Sequence, residues 1–92
     1  MKSNALRTNE KDNIVIATQP IQKGTSVVVD GRKLFPAAGD IPLGHKIALV
    51  SLAKGRKVLR YGEPIVQATR PIKKGEWVHV HNTQPILGDL KE

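Results

Sequence analysis

The residues best suited to chemistry in this 92-residue chain are its three histidines, two of which stand one residue apart. His79-Val80-His81-Asn82 closes an alternating run that begins at Trp77. Side chains alternate along a strand, so a strand here sets His79 and His81 on one face and Val78 and Val80 on the other. Two imidazoles on one face reach a single cation or anion, and Asn82 adds a polar group beside them. Two nitrogen ligands are too few for a closed metal site, so a metal at His79 and His81 needs ligands from elsewhere. An exposed polar strand face fits the same pattern. The third histidine lies in Gly44-His45-Lys46, where Pro42 and Gly44 impose a turn before an apolar run. Loops held by a rigid sheet often carry function. His45 is suited to proton transfer near neutral pH, and Lys46 to pairing with a carboxylate; a plain surface turn is the ordinary alternative. Tyr61-Gly62-Glu63-Pro64 reads as another turn, with Glu63 either balancing nearby cations or acting as acid, base or ligand.

What is missing narrows the chemistry. The absence of cysteine removes disulfides and thiolate metal sites. There is no glycine-rich phosphate loop, no His-Glu-x-x-His and no nucleophile elbow, so self-contained catalysis is not expected. Fifteen Lys and Arg against eight Asp and Glu give a net charge of +7, concentrated in residues 45–74, where eight bases accompany the single acid Glu63. Such a surface attracts anions: an acidic partner, nucleic acid or a carboxylate substrate. Nucleic acid is disfavoured, because single-strand binding uses stacking aromatics and only Phe35, Tyr61 and Trp77 are aromatic. Trp77 suits an interface or the core equally. No apolar run has the length of a signal peptide or membrane span, and a soluble cytoplasmic protein is expected.

The elements that must position these groups are short. Residues 14–17, 26–29, 46–50, 57–59, 64–66 and 77–81 read as β-branched-rich strands punctuated by glycine and proline. No segment keeps a helical period, beyond a short turn near Leu52-Ala53. Asp30-Gly31 is a hairpin turn signal. Asp12-Asn13 reads as a turn between a weak strand at residues 5–7 and residues 14–17. Residues 1–11 are expected to be partly frayed, 12–83 to form the domain, and 84–92 to run on as an extension or the start of a linker. Residues 17–29 match residues 68–80 at an offset of 51, and Leu52-Ala53-Lys54-Gly55-Arg56-Lys57-Val58 is a weaker copy. The shared unit is an aliphatic plug, Lys-Gly, and a strand beginning with an inward Val. The glycine there takes a backbone shape other residues resist. The expectation is one all-β domain with internal pseudo-repeats.

The ordered set Gly44-His45-Lys46-Ile47-Ala48-Leu49, Lys54-Gly55, Val58, Arg60-Tyr61-Gly62-Glu63-Pro64-Ile65, Ala68-Thr69, Ile72, Gly75-Glu76 and Val78-His79-Val80-His81-Asn82-Thr83 resembles the N-terminal region of altronate dehydratases and the small subunit of sulfolactate sulfo-lyase. Galactarate dehydratase shares the Gly-His-Lys and Tyr-Gly-Glu pieces but not the His-x-His-Asn end. The resemblance runs from about Asp12 to Thr83. It implies a compact β-clip fold of the SAF type. It also implies a lyase component that removes water, or sulfite, from a hydroxylated or sulfonated carboxylate together with a large catalytic subunit or domain. It implies catalytic roles for His45 and Lys46, substrate or metal binding by His79, His81 and Asn82, and a divalent iron or manganese held mainly by the large partner. A sugar-acid hydro-lyase is the leading expectation; a sulfo-lyase small subunit and a non-catalytic SAF ligand-binding module are the alternatives. Short length favours the small subunit, and Gly88-Asp89-Leu90, like the start of an interdomain linker, favours the dehydratase domain. Self-association is left open.

Overall fold

Short β-branched runs separated by positive-φ glycines cannot build long elements, and the chain forms nine short strands among the residues described. The structure, a computed structural model, describes residues 2–86. The strands are β1 (Ala5–Leu6), β2 (Ile14–Ala17), β3 (Ser26–Val29), β4 (Arg32–Pro36), β5 (Lys46–Ala48), β6 (Lys57–Arg60), β7 (Glu63–Ala68), β8 (Trp77–Val78) and β9 (Thr83–Gln84). All pairings are antiparallel, in a four-stranded sheet β1-β2-β5-β8, a hairpin β3-β4 and a three-stranded sheet β6-β7-β9. The protein is all-β, as expected.

The four-stranded sheet is buried on both faces, which explains its continuous apolar runs. Val15, Ala17 and Ile47 pack with Val27, Val29 and Ala37 on one side; Ile14, Ala48 and Val78 pack with Val58, Ala68 and Ile72 on the other.

The repeat is deeper than the offset of 51 reveals. Four aliphatic plugs, Ile21, Ile41, Leu52 and Ile72, are buried and meet in two bridges, Ile21 with Ile41 and Leu52 with Ile72. Each precedes a glycine with φ between +83° and +92°: Gly24, Gly44, Gly55 and Gly75. An offset of 31 residues carries the first pair onto the second. It also carries Asp30-Gly31 onto Tyr61-Gly62, both with positive φ at both positions and closing two-residue hairpins. Both hairpins bulge at equivalent points, after Val27 and after Val58.

Several expectations require correction. Within the segment 1–11, Asn4 and Ala5 are buried, and the weak strand expected at residues 5–7 is present as β1, paired with β2. Asp12 and Asn13 are buried too, tying the chain to the second hairpin through their side chains. Leu52 forms a bridge with Ile72 where a helical turn was expected. The strand expected over 46–50 ends at Ala48, and β4 is unexpected because Arg32, Lys33 and Pro36 are poor strand signals. β4 pairs only with β3, and such an edge tolerates them. The strand expected over 77–81 covers only Trp77–Val78, and Thr83–Gln84 forms β9, paired with β7. Gly88-Asp89-Leu90 lies outside the described residues.

Candidate functional site

Three backbone bonds fix the entrance to β5. The Gly44 N–H donates to the Ala17 carbonyl at 2.8 Å, the Ala17 N–H to the His45 carbonyl at 2.9 Å, and the His45 N–H to the Pro42 carbonyl at 3.2 Å. His45 is thereby locked against β2, with Lys46 as the first residue of the strand.

Ile47 of β5 pairs with Trp77 of β8, which brings the second half of the site alongside. Residues 79–82 leave the strand in a turn, so the alternation argument for His79 and His81 does not hold. The turn is built by Asn82. Its Oδ1 accepts the His79 N–H at 2.9 Å, its Nδ2 donates to the Trp77 carbonyl at 2.9 Å, and its own N–H donates to the His79 carbonyl at 3.1 Å. Thr83 Oγ1 donates to the same His79 carbonyl at 2.8 Å, and Arg70 Nη2 to the His81 carbonyl at 2.7 Å. Asn82 is buried, and its amide shapes the turn that carries the two histidines.

The imidazoles nevertheless converge, around the Trp77 indole. His79 stacks on it with centroids 5.2 Å apart and planes 10° off parallel. His81 lies 5.3 Å away on the exposed side. His45 meets it edge-on at 5.4 Å and meets His79 at 4.9 Å. Trp77 also packs against the core, one of the two places expected for it. An open pocket of about 440 Å³ lies beside this ring, lined by Trp77, His81, Asn82, Arg70, Glu76 and Gly39 among others.

The electrostatics favour an anion. Partial burial, then the Arg60 charge, lower the Lys46 pKa. Burial, then His45, Lys46 and His81, lower that of His79. The Nε of Arg60 is buried without a hydrogen-bond partner. The sequence marks Arg60 only as one of the bases and as part of a shared motif, because nothing along the chain shows that it approaches Lys46. Among the described residues no group of three His, Cys, Asp or Glu is arranged to hold a metal. These residues do not by themselves fit a divalent cation: the imidazoles stand with Lys46 and Arg60, and Glu63 sits exposed at the tip of the β6–β7 hairpin.

Residues 3–85 match the family described as the altronate/galactarate dehydratase SAF domain. The chain belongs to that family. Its relatives include the altronate dehydratase of Bacillus subtilis, 37% identical over 86 residues, covering 94% of this chain and 17% of that protein. The altronate dehydratase of Escherichia coli is 38% identical over 87 residues, covering 95% of the chain and 17% of that protein. The (2R)-sulfolactate sulfo-lyase subunit alpha of Chromohalobacter salexigens is 40% identical over 50 residues, covering 54% of the chain and 53% of that protein. The SAF chain thus spans about a sixth of the dehydratases it matches. Among its described residues, no helix is long and apolar enough to cross a membrane.

Proposed function

We propose that this SAF chain contributes an anion-binding face to a carbon–oxygen lyase that removes water from a hydroxylated sugar acid, the rest of the active site coming from a larger catalytic region. The observation that carries this reading is the convergence of His45, His79 and His81 on Trp77 beside Lys46. The incomplete ligand set supports a shared site. In this reading Lys46 and the imidazoles hold the substrate carboxylate and stabilise the charge that develops when the adjacent carbon loses its proton. A divalent iron or manganese belongs to the larger region, and no step on this chain runs through it.

A second reading, the small subunit of a sulfo-lyase, is favoured by the larger share of those subunits that the match covers: 53% of one and 69% of another. A chimera tests the first reading. The matching segment of the Bacillus subtilis relative is replaced by this chain and assayed with altronate, galactarate and sulfolactate. The proposal expects turnover of a sugar acid, and a fall of about 100-fold with His79→Ala, the scale of a lost electrostatic group. Full activity of that variant would sink the proposal.

A further inference from the structure

We infer that Trp77 is a positioning residue that fixes His45 in its Nε2–H tautomer, so that His45 meets a ligand as a neutral hydrogen-bond donor to an anionic oxygen. The indole Nε1–H of Trp77 donates to His45 Nδ1 at 3.1 Å. An indole N–H only donates, so Nδ1 must present its lone pair, and the single proton of the neutral ring then sits on Nε2.

The contact is built rather than incidental. Trp77 is held in β8 by pairing with Ile47, against the core, and under the stacked ring of His79. His45 is held by its backbone bonds to Ala17 and Pro42. The His45 ring itself is held by the Trp77 bond and by its contacts with the Trp77 and His79 rings.

The consequence is chemical. With Nδ1 occupied and Nε2 protonated, His45 has no free lone pair. A metal at Nε2 would require the proton to move to Nδ1 and the Trp77 bond to break. Removal of a substrate proton by His45 meets the same obstacle, so the base lies elsewhere. A neutral imidazole can still aim Nε2–H at a carboxylate or enolate oxygen, where a fixed donor stabilises developing negative charge. Lys46, the next residue, supplies positive charge close by. The tautomer follows from the contact alone; its use as a donor rests on the lyase reading above.

The test has two arms. In the ¹⁵N-labelled 92-residue chain at about pH 8.5, above the ordinary imidazole pKa of about 6.5, long-range proton–nitrogen spectra distinguish bare from protonated ring nitrogens. The expected pattern for His45 is a bare Nδ1 and a protonated Nε2. Trp77→Phe keeps an aromatic ring against His79 but removes the donor, and should turn His45 into a mixture of tautomers while the amide spectrum stays dispersed. A protonated Nδ1 in the unsubstituted chain, or an unchanged pattern in a folded Trp77→Phe chain, would overturn the assignment; if Trp77→Phe does not fold, the pattern of the unsubstituted chain decides. The second arm uses the chimera. His45→Gln retains a neutral donor and should keep at least about 10-fold more activity than His45→Ala, a fraction of the worth of a fixed donor. Equal impairment of the two in an enzyme with the Nε2–H tautomer would overturn the donor role while leaving the lyase reading standing.

Discussion

Asn4 and Asn13, nine residues apart, make the same contact to the two pseudo-equivalent hairpins. Asn4 Nδ2 donates to the Ser26 carbonyl at 2.9 Å and its Oδ1 accepts the Val28 N–H at 2.8 Å. Asn13 Nδ2 donates to the Lys57 carbonyl at 2.9 Å and its Oδ1 accepts the Leu59 N–H at 2.8 Å. Each amide satisfies backbone groups at a bulge, standing in for a neighbouring strand. Asn13→Ala leaves a carbonyl and an N–H without partners and should cost about 1–3 kcal/mol, the range for losing one side of a buried hydrogen bond. Urea unfolding checks this; a change below about 0.5 kcal/mol, the level of an ordinary surface substitution, would contradict it.

Asp12 should make the domain acid-sensitive. Burial alone would raise its pKa, but the Thr8 hydroxyl, the Gly62 and Tyr61 amides and the Arg7 charge outweigh it and bring the pKa below the ordinary 3.8. A carboxylate with a depressed folded pKa adds stability that is fully present above the unfolded value and lost as pH falls through the folded one. That window lies below about pH 4, since the unfolded reference is close to 3.9. Asp12→Asn should therefore flatten the loss of stability between about pH 4 and pH 2. It should also weaken the turn at Tyr61, whose φ of +56° is unusual for a tyrosine. An unchanged acid limb in pH-dependent unfolding would contradict the argument.

Gly24 and Gly75 occupy equivalent turns with φ of +87° and +92°, but their surroundings differ. A Cβ at Gly24 meets nothing within 4 Å, whereas one at Gly75 would stand 2.9 Å from the Pro36 carbonyl oxygen. Gly24→Ala should cost about 1–2 kcal/mol from the positive φ alone. Gly75→Ala should cost at least about 1 kcal/mol more, because backbone must shift to admit the methyl group. Equal melting temperatures for the two variants would count against the close approach.

His79 should titrate below the ordinary 6.5, because burial and the neighbouring His45, Lys46 and His81 oppose its charge. Lys46→Gln removes one of these charges, so the midpoint should move upward in proton NMR titrations. A His79 midpoint above 6.5, or one that falls in the variant, would show the wrong electrostatics. The sign for stability follows: a histidine with a lowered folded pKa favours the folded state at high pH and loses that contribution as pH falls through about 6.5.

The fold was legible where the signal was local. Lys23-Gly24 and Lys74-Gly75 announced turns, and β2, β3, β6 and β8 began where their β-branched runs began. The Ile41-Pro42-Leu43-Gly44 copy escaped notice because it lacks lysine before its glycine, though its backbone matches the others. Asn13 was read as a turn former because asparagine is common there; its true partners are more than 40 residues away. At the site, adjacency along the chain marks His45, Lys46, His79 and His81, but strand alternation does not unite the last pair, because residues 79–82 have left the strand. A turn closed by Asn82, and ring contacts with Trp77, bring them together. Arg60 and the Trp77–His45 bond depend on side chains meeting across strands, which spacing along the chain does not record.

In the proposed function this domain supplies part of an active site completed by a larger catalytic region. The most direct measurement compares altronate turnover by three proteins: the 92-residue chain alone, the Bacillus subtilis relative lacking its matching segment, and the chimera joining this chain to the remainder of that relative. Turnover is predicted for the chimera at least about 100-fold above either separate part, the scale of a missing acid–base or electrostatic group. A segment-deleted enzyme as fast as the chimera, or turnover by the 92-residue chain alone, would contradict it.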